Sequence, residues 1–203
     1  QVDDLFLASV LWNERHAQGL QPDESRGTHR LSAQDFQEFT RWQEEVFRPM
    51  ALNPEYRVEL AFNGSGPGLY KNAQGVDALW EAAKANFGQY HWLSHTWSHM
   101  DLNQATYQQT VEEIKKNSDF IQAFFAQSAD MRRFYSGLSM VTPRISGLLN
   151  KHALKALQDQ GVQFVVGDTS RPEITPKSMQ VGLYTTEKLN GHAGILILPR
   201  HPT

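Results

Sequence analysis

Short apolar runs alternate with longer amphipathic stretches along most of the chain. The apolar runs predict strands at residues 56–62, 89–93, 138–142, 162–166 and 194–198. The stretches between them carry apolar residues at helical spacing. Strands that alternate with helices in this way are typical of a largely parallel sheet. The pattern therefore predicts an α/β fold.

The intervening stretches contain start and stop signals for helices. Ser32, followed three residues later by Asp35, has the pattern of a capping box for the first helix. Further helices are predicted over residues 76–87, 104–127 and 148–160, and Gly161 lies at a C-cap position of the last. Residues 13–30 contain Gly, Pro, Asp and His without a period, and we expect a long surface loop there.

Composition narrows the class of protein. A chain of 203 residues with 40% hydrophobic content suits one globular domain, which we place over residues 1–203. No apolar run approaches the roughly 20 residues that cross a bilayer. A net charge of -3 without a basic cluster argues against a nucleic-acid or anionic-lipid partner. Because the chain has no cysteine, histidine and carboxylate are its strong metal ligands.

The stretch HTWSH places His95 and His99 four residues apart, just after a predicted strand. On a helix two such imidazoles share a face and can bind one ion, whereas a pair that only meets solvent is the alternative. The C-terminal end of a strand, where α/β barrels place their active sites, favours a metal site. Thr96 stands where a thermolysin-type site needs Glu, so that class of peptidase is excluded.

Asp3 and Asp4 supply two carboxylates near the start of the sequence. One can complete a His-His-Asp metal site and the other can accept a proton from water, although a solvated acidic turn is the alternative. Neighbouring side chains on a strand point to opposite faces, so both carboxylates can reach one ion only where a strand ends and a loop begins. We therefore expect a strand just upstream of the two aspartates, and a chain that is part of a longer protein. His201 follows the last predicted strand, and a closed or nearly closed barrel would bring both ends to one mouth.

Several short motifs occur in a fixed order: VDDLFL, FNGSG, HTWSHMDLN, TPRISGL, GDTSRP and LPRHPT. This order resembles the polysaccharide deacetylase (NodB-homology) superfamily. More narrowly, it is similar to the deacetylase domain of secreted fungal galactosaminogalactan deacetylases, carbohydrate esterase family eighteen, and to the bacterial Pel polysaccharide deacetylase domain. The resemblance implies a distorted or incomplete (β/α) barrel that forms a metal-dependent deacetylase domain of a longer, multidomain chain.

The resemblance also implies roles for individual residues. A divalent metal, with zinc favoured, would be held by one carboxylate and two histidines, and a second carboxylate and a third histidine would act as general base and general acid. In that order these residues are Asp4, His95, His99, Asp3 and His201.

Other assignments from the resemblance are less direct. Arg144 would correspond to the arginine that steers the base, and Asp168 to an acid that orients the catalytic histidine. Arg200 and His201 compete for the position of the family's Leu-x-His histidine, and His192 is a reserve candidate for the acid. Relative to family four, Leu5 replaces the Gly after the aspartates and Pro143 precedes the arginine, which favours family eighteen.

The substrate implied by the resemblance is an N-acetylhexosamine biofilm exopolysaccharide, and the protein would be secreted or extracellular, with periplasmic as the alternative. We expect Trp97 to stack on a sugar ring and Asn63 to lie in a substrate loop, while Tyr90 and Trp92 fill the core. Asn63 also begins an N-glycosylation sequon. Flanking carbohydrate-binding domains are expected partners in the same chain. A non-catalytic sugar-binding domain and a metal-dependent amidase for small N-acyl substrates remain alternatives.

Overall fold

The computed structural model describes residues 2–10, 28–53, 55–125, 129–171 and 181–200. Its strands are β1 (Ser9–Val10), β2 (Thr28–His29), β3 (Glu59–Phe62), β4 (His91–Ser94), β5 (Tyr135–Met140), β6 (Phe164–Val166), β7 (Leu183–Tyr184) and β8 (Leu196–Leu198). Its helices are α1 (Ala33–Trp42), α2 (Arg48–Met50), α3 (Gly66–Leu69), α4 (Ala78–Ala85), α5 (Tyr107–Phe125), α6 (Lys151–Asp159) and α7 (Glu187–Asn190). A π-helical turn, Gln43–Phe47, joins α1 to α2.

One open sheet forms the centre of the fold. It has six strands in the order β3-β4-β5-β6-β8-β7, all parallel except β7, which runs antiparallel to β8 at the edge. On the outer side of β3, Val2 forms a parallel bridge with Leu60. Within the described residues no pairing joins Val2 to β7, so the sheet does not close. The predicted α/β fold with an incomplete barrel is confirmed.

All five predicted strands are present, but their first and last residues differ from the prediction. Hydrogen bonding to neighbouring strands decides where each strand begins and ends, and the apolar pattern does not show it. The starts of two strands shift by three residues: β3 begins three residues after the predicted residue 56, and β5 begins three residues before the predicted residue 138. β1, β2 and β7 were not predicted, since two-residue strands are too short to show alternation. β2 pairs with β1, so the end of the predicted 13–30 loop is a strand. Residues 13–27 of that segment lie outside the described part.

Side-chain caps set the first residues of several helices. Ser32 Oγ accepts from Asp35 N at 3.1 Å while Asp35 Oδ2 accepts from Ser32 N at 3.0 Å, which confirms the capping box of α1. Asp77 caps α4 and Asn150 caps α6, so both helices begin later than their apolar periodicity predicts. Gly161, with φ of 87°, follows the end of α6 as predicted.

The core consists mainly of two apolar clusters. Successive residues along a strand belong alternately to one cluster and to the other. Leu60 and Trp92 belong to one cluster, whereas Ala61 and Leu93, their neighbours along β3 and β4, belong to the other. Tyr90 and Trp92 are fully buried, as expected from the sequence. None of the helices in the described ranges has the length and apolar composition needed to cross a bilayer.

Candidate metal centre

The HTWSH segment is an irregular turn at the end of β4, not a helix. Thr96 and His99 adopt left-handed backbone with φ of 62° and 61°, so the four-residue spacing brings the two imidazoles together without helical geometry. His95 is 2% exposed, and its Nδ1 lies 2.8 Å from the carbonyl oxygen of Val141. If Nδ1 donates to this carbonyl, Nε2 is left as the metal-binding nitrogen.

Asp4 brings a carboxylate to the two histidines. Its Oδ1 lies 3.3 Å from His95 Nε2 and 3.2 Å from His99 Nε2, and one ligand atom from each residue falls within 4.8 Å of the others. Asp4 Oδ1 is buried and accepts no well-formed hydrogen bond from the described residues. Two imidazoles and one carboxylate are a suitable donor set for zinc and similar divalent ions. The three residues therefore fit a metal ion.

The electrostatics of the cluster shift the pKa values of Asp4 and His99 towards their deprotonated forms. Burial raises the pKa of Asp4, but His95, His99 and Arg144 together outweigh it and hold the pKa below its ordinary value. Burial lowers the pKa of His99 by more than the Asp4 carboxylate raises it. Deprotonated carboxylate and neutral imidazole are the forms that bind metals.

Asp3 lies beside the cluster and is held by an arginine from the far end of the sheet. Its Oδ2 accepts a hydrogen bond from Arg200 Nη1 at 2.8 Å, and its Oδ1 is buried without a partner among the described residues. The arginine that is hydrogen-bonded to Asp3, the base implied by the resemblance, is thus Arg200. The resemblance assigned the arginine that steers the base to Arg144. Arg144 lines the same cavity, and its charge acts on Asp4 and His99 instead.

These side chains surround an open cavity of about 360 Å³. Several of its lining residues have positive φ: Asp4 at 57°, Arg144 at 55° and Ile145 at 53°, in addition to His99. Left-handed backbone is costly for non-glycine residues and persists where surrounding contacts enforce it, as at functional sites. The full lining is Asp3, Asp4, His95, His99, Thr142, Arg144, Ile145 and Arg200.

Asn63 holds the HTWSH turn in place through hydrogen bonds to its backbone. It is fully buried, and its Nδ2 donates to the carbonyl oxygens of His95 and Thr96. Asn63 thus acts as a support of the turn and does not line the metal cavity, and the prediction that it lies in a substrate loop stays a prediction. A fully buried amide is also inaccessible to glycosylation. The hydrogen bonds of Asn63 to the turn, and not a glycan, explain the asparagine of this sequon.

Two polar residues of α5, one bonded to the turn and one to the end of β4 just before it, were missed from the sequence. Glu113 accepts hydrogen bonds from Ser98, and Asn117 Nδ2 donates to Ser94 Oγ at 2.9 Å. Both are buried although their side chains are polar. The available signal was their position: Glu113 lies four residues before Asn117, and Asn117 lies four residues before the apolar Ile121, spacings that share one face of the helix.

The comparison with protein families finds a matching family model. A family model described as the Agd3 deacetylase domain matches residues 70–203, more than half of the chain. The chain belongs to the Agd3 deacetylase-domain family. This confirms the resemblance to polysaccharide deacetylases that the motifs indicated.

Solved structures show the same fold for this deacetylase domain. The crystal structure of Agd3, a carbohydrate deacetylase, matches with a TM-score of 0.77 at 23% identity, over 99% of this chain and 36% of that chain. A 4-alpha-glucanotransferase from Thermococcus litoralis gives 0.52 at 15% identity, over 82% of this chain and 24% of that one. The domain thus spans about a third of the Agd3 chain. A search of curated proteins finds no match.

Trp97 of the deacetylase domain lies on a second cavity. This cavity, of about 580 Å³, is lined by Trp97, Trp80 and Phe120 among others, and the ring of Trp97 meets that of Phe120 edge-on at 5.9 Å. A Cβ on Gly64 would come within 2.8 Å of the Trp97 ring, so this close approach requires glycine. Trp97 is partly exposed and does not line the metal cavity. Its predicted contact with sugar stays a prediction.

Two further predicted site residues, Asp168 and His192, do not line the metal cavity. Asp168 accepts from Ser170 N at 2.8 Å and does not line the metal cavity, so its predicted role stays a prediction. His192 Nε2 lies 2.8 Å from Gln158 Oε1 on α6, and its predicted role as a reserve acid stays a prediction. His201 lies outside the described residues.

Proposed function

We propose that this deacetylase domain is a metal-dependent hydrolase that removes acetyl groups from N-acetylhexosamine residues of an exopolysaccharide resembling galactosaminogalactan. The observation that carries the proposal is the convergence of Asp4, His95 and His99 on one point of an open cavity that also holds Asp3. An enzyme of this class needs an activated water, a proton acceptor beside it and access for a polymer. The cluster, Asp3 and the open cavity match these needs.

A divalent ion bound there, which we propose to be zinc, would lower the pKa of a water molecule and polarise the amide carbonyl. Asp3 is the general base in this mechanism. Arg200 holds one oxygen of its carboxylate, which leaves the unpaired Oδ1 to accept the proton of the attacking water. His201, next to Arg200 in the sequence, is our proposed acid for the departing amine.

The substrate and location follow from the family and extend the proposal. Agd3 is named as a carbohydrate deacetylase, and we propose an N-acetylhexosamine polymer for this chain also. Trp97, with Trp80 and Phe120 around it, offers apolar faces of the kind that stack on sugar rings, on a cavity that shares the HTWSH turn with the metal centre. We further propose that the protein acts outside the cell and carries flanking carbohydrate-binding domains.

Acetate release tests the proposal. The full-length protein is incubated with zinc and with N-acetylgalactosamine or N-acetylglucosamine oligomers, beside variants Asp3→Asn and His95→Ala. We expect release by the wild type and a loss of at least about a hundredfold in Asp3→Asn, because a positioned base contributes that much. The matched control is His152→Ala, an exposed histidine on α6 that should not change the rate.

The alternatives give different results in the same assay. Metal binding without acetate release would support a sugar-binding domain and contradict the proposal. Release from small N-acyl compounds but not from oligomers would replace the polysaccharide substrate with an amidase substrate. Release that is unchanged in Asp3→Asn would remove the base from the mechanism.

A further inference from the structure

Glu113 is a buried carboxylate to which the proposed mechanism gives no role. It lies on α5 and is 5% exposed. Both of its oxygens are used by one residue: Oε2 accepts from Ser98 N at 2.8 Å and Oε1 accepts from Ser98 Oγ at 2.7 Å. Burying a carboxylate is costly unless hydrogen bonds compensate it. This arrangement has to be explained by what it holds in place.

Ser98 immediately precedes His99 in a strained turn. Thr96 and His99 are both left-handed, a conformation that is unfavourable for residues other than glycine and needs restraint from the surrounding structure. Asn63 binds the carbonyl oxygens of His95 and Thr96 at the start of the turn.

The second half of the turn is held by different groups. The N–H of Ser65 donates to Trp97 O at 3.2 Å, and Glu113 binds the N–H and hydroxyl of Ser98. Glu113 is therefore the restraint on the residue next to His99. Because α5 packs against β4 and α6, it offers a fixed platform for this carboxylate.

We propose that Glu113 is a positioning residue that sets the metal affinity of the centre by fixing Ser98 and thereby the His99 imidazole. The inference rests on the metal ion of the proposed function and deepens it. Groups that orient metal ligands from outside typically contribute about 10–100-fold to metal affinity. Glu113 would act in this way through one peptide unit, without touching the ion.

A conservative variant separates the effect of the two hydrogen bonds of Glu113 from the effect of its negative charge. In Glu113→Gln the amide oxygen can accept from the Ser98 N–H while the amide nitrogen donates to Ser98 Oγ, since a hydroxyl is also an acceptor. Both contacts are kept and the negative charge is lost. In Glu113→Ala both contacts are lost, and in Ser98→Ala only the hydroxyl contact is lost.

The experiment measures metal affinity, not activity. Metal-stripped full-length protein is titrated with Zn²⁺ by calorimetry, and with Co²⁺ while its visible absorption is recorded as a signature of ligand geometry. We expect Glu113→Ala to bind about 10–100-fold more weakly with an altered Co²⁺ spectrum, Ser98→Ala to lie between, and Glu113→Gln to stay near wild type. The control is Glu112→Ala, an exposed glutamate one position earlier on α5, which should be unchanged.

Thermal melts of the metal-free proteins show which variants are folded. A folded Glu113→Ala that binds metal like wild type overturns the inference, and so does Glu113→Gln binding as weakly as Glu113→Ala. If Glu113→Ala does not fold, Ser98→Ala decides, and wild-type affinity in that variant overturns the inference. Wild-type protein that binds metal but releases no acetate contradicts only the proposed function, whereas wild-type protein that binds no metal contradicts both.

Discussion

Arg200 and Asp3 stand near opposite ends of the sequence and form an ion pair in the metal cavity. The motif comparison assigned an arginine to the base but selected Arg144, which lies in a comparable position after a strand. Both arginines reach the cavity. Only side-chain direction distinguishes them, and that is not a property of sequence spacing.

We expect Arg200→Gln to reduce kcat/KM for acetate release by about tenfold or more, because Asp3 loses the partner that orients it as a base. Arg200→Lys should recover part of the loss, since it keeps the charge but not the planar geometry of the guanidinium. Rates are measured at saturating metal so that changes in metal affinity do not contribute. Arg144→Gln is the matched comparison, and a larger loss there than in Arg200→Gln would restore the assignment made from the resemblance.

At the scale of elements, caps and buried polar residues determine how the helices support the sheet. α1 begins at a complete capping box, and α5 carries the polar residues that hold the end of β4 and the HTWSH turn after it. The cap was predictable because both of its partners are local. The bracing residues were not, because their partners lie at the end of a strand that is distant in sequence.

Ser32→Ala should lower the free energy of unfolding by about 1 kcal/mol, since the first turn of α1 loses its side-chain acceptor. Urea denaturation at neutral pH measures this difference. Ser32→Asn, which also caps well, should stay near wild type. An equal loss in both variants would show that the hydroxyl is not acting as the cap. Zn²⁺ affinity should be unchanged in both, because Ser32 does not line the metal cavity.

The same cap makes a pH-dependent contribution. Hydrogen bonds from the Ser32 side chain and backbone hold the pKa of Asp35 below its ordinary value of 3.8. Because the folded pKa is the lower one, this contribution is present above the ordinary value and is lost as pH falls through the folded pKa. The stability difference between wild type and Ser32→Ala should therefore shrink in acid.

At the scale of the whole molecule, the metal cluster joins parts of the chain that are far apart. Asp4 comes from the N-terminal segment and His95 and His99 from the turn after β4. Arg200, after β8, then links the other side of the open sheet to Asp3. The cluster therefore exists only in the folded chain.

Added Zn²⁺ should raise the melting temperature, because an ion that binds only the folded state stabilises it by about 2.7 kcal/mol at a concentration of 100 times Kd. Scanning calorimetry with and without Zn²⁺ measures the effect. His99→Ala should lose most of the gain and His152→Ala none of it. A gain in His99→Ala equal to that of wild type would place the ion elsewhere.

Sequence patterns alone predicted the α/β fold, the capping box and a meeting of the acidic pair with the histidine pair, whereas the choice of Asp4 as the metal ligand came from the family resemblance. The physical reason is that parallel strands present their carboxyl ends at one edge, so motifs that follow strands meet there. The tertiary structure alone decided that Arg200 pairs with Asp3, that Asn63 is buried beneath the turn, and that Glu113 holds Ser98. These contacts depend on side-chain directions and on how α5 packs across the sheet, and neither is encoded in local spacing.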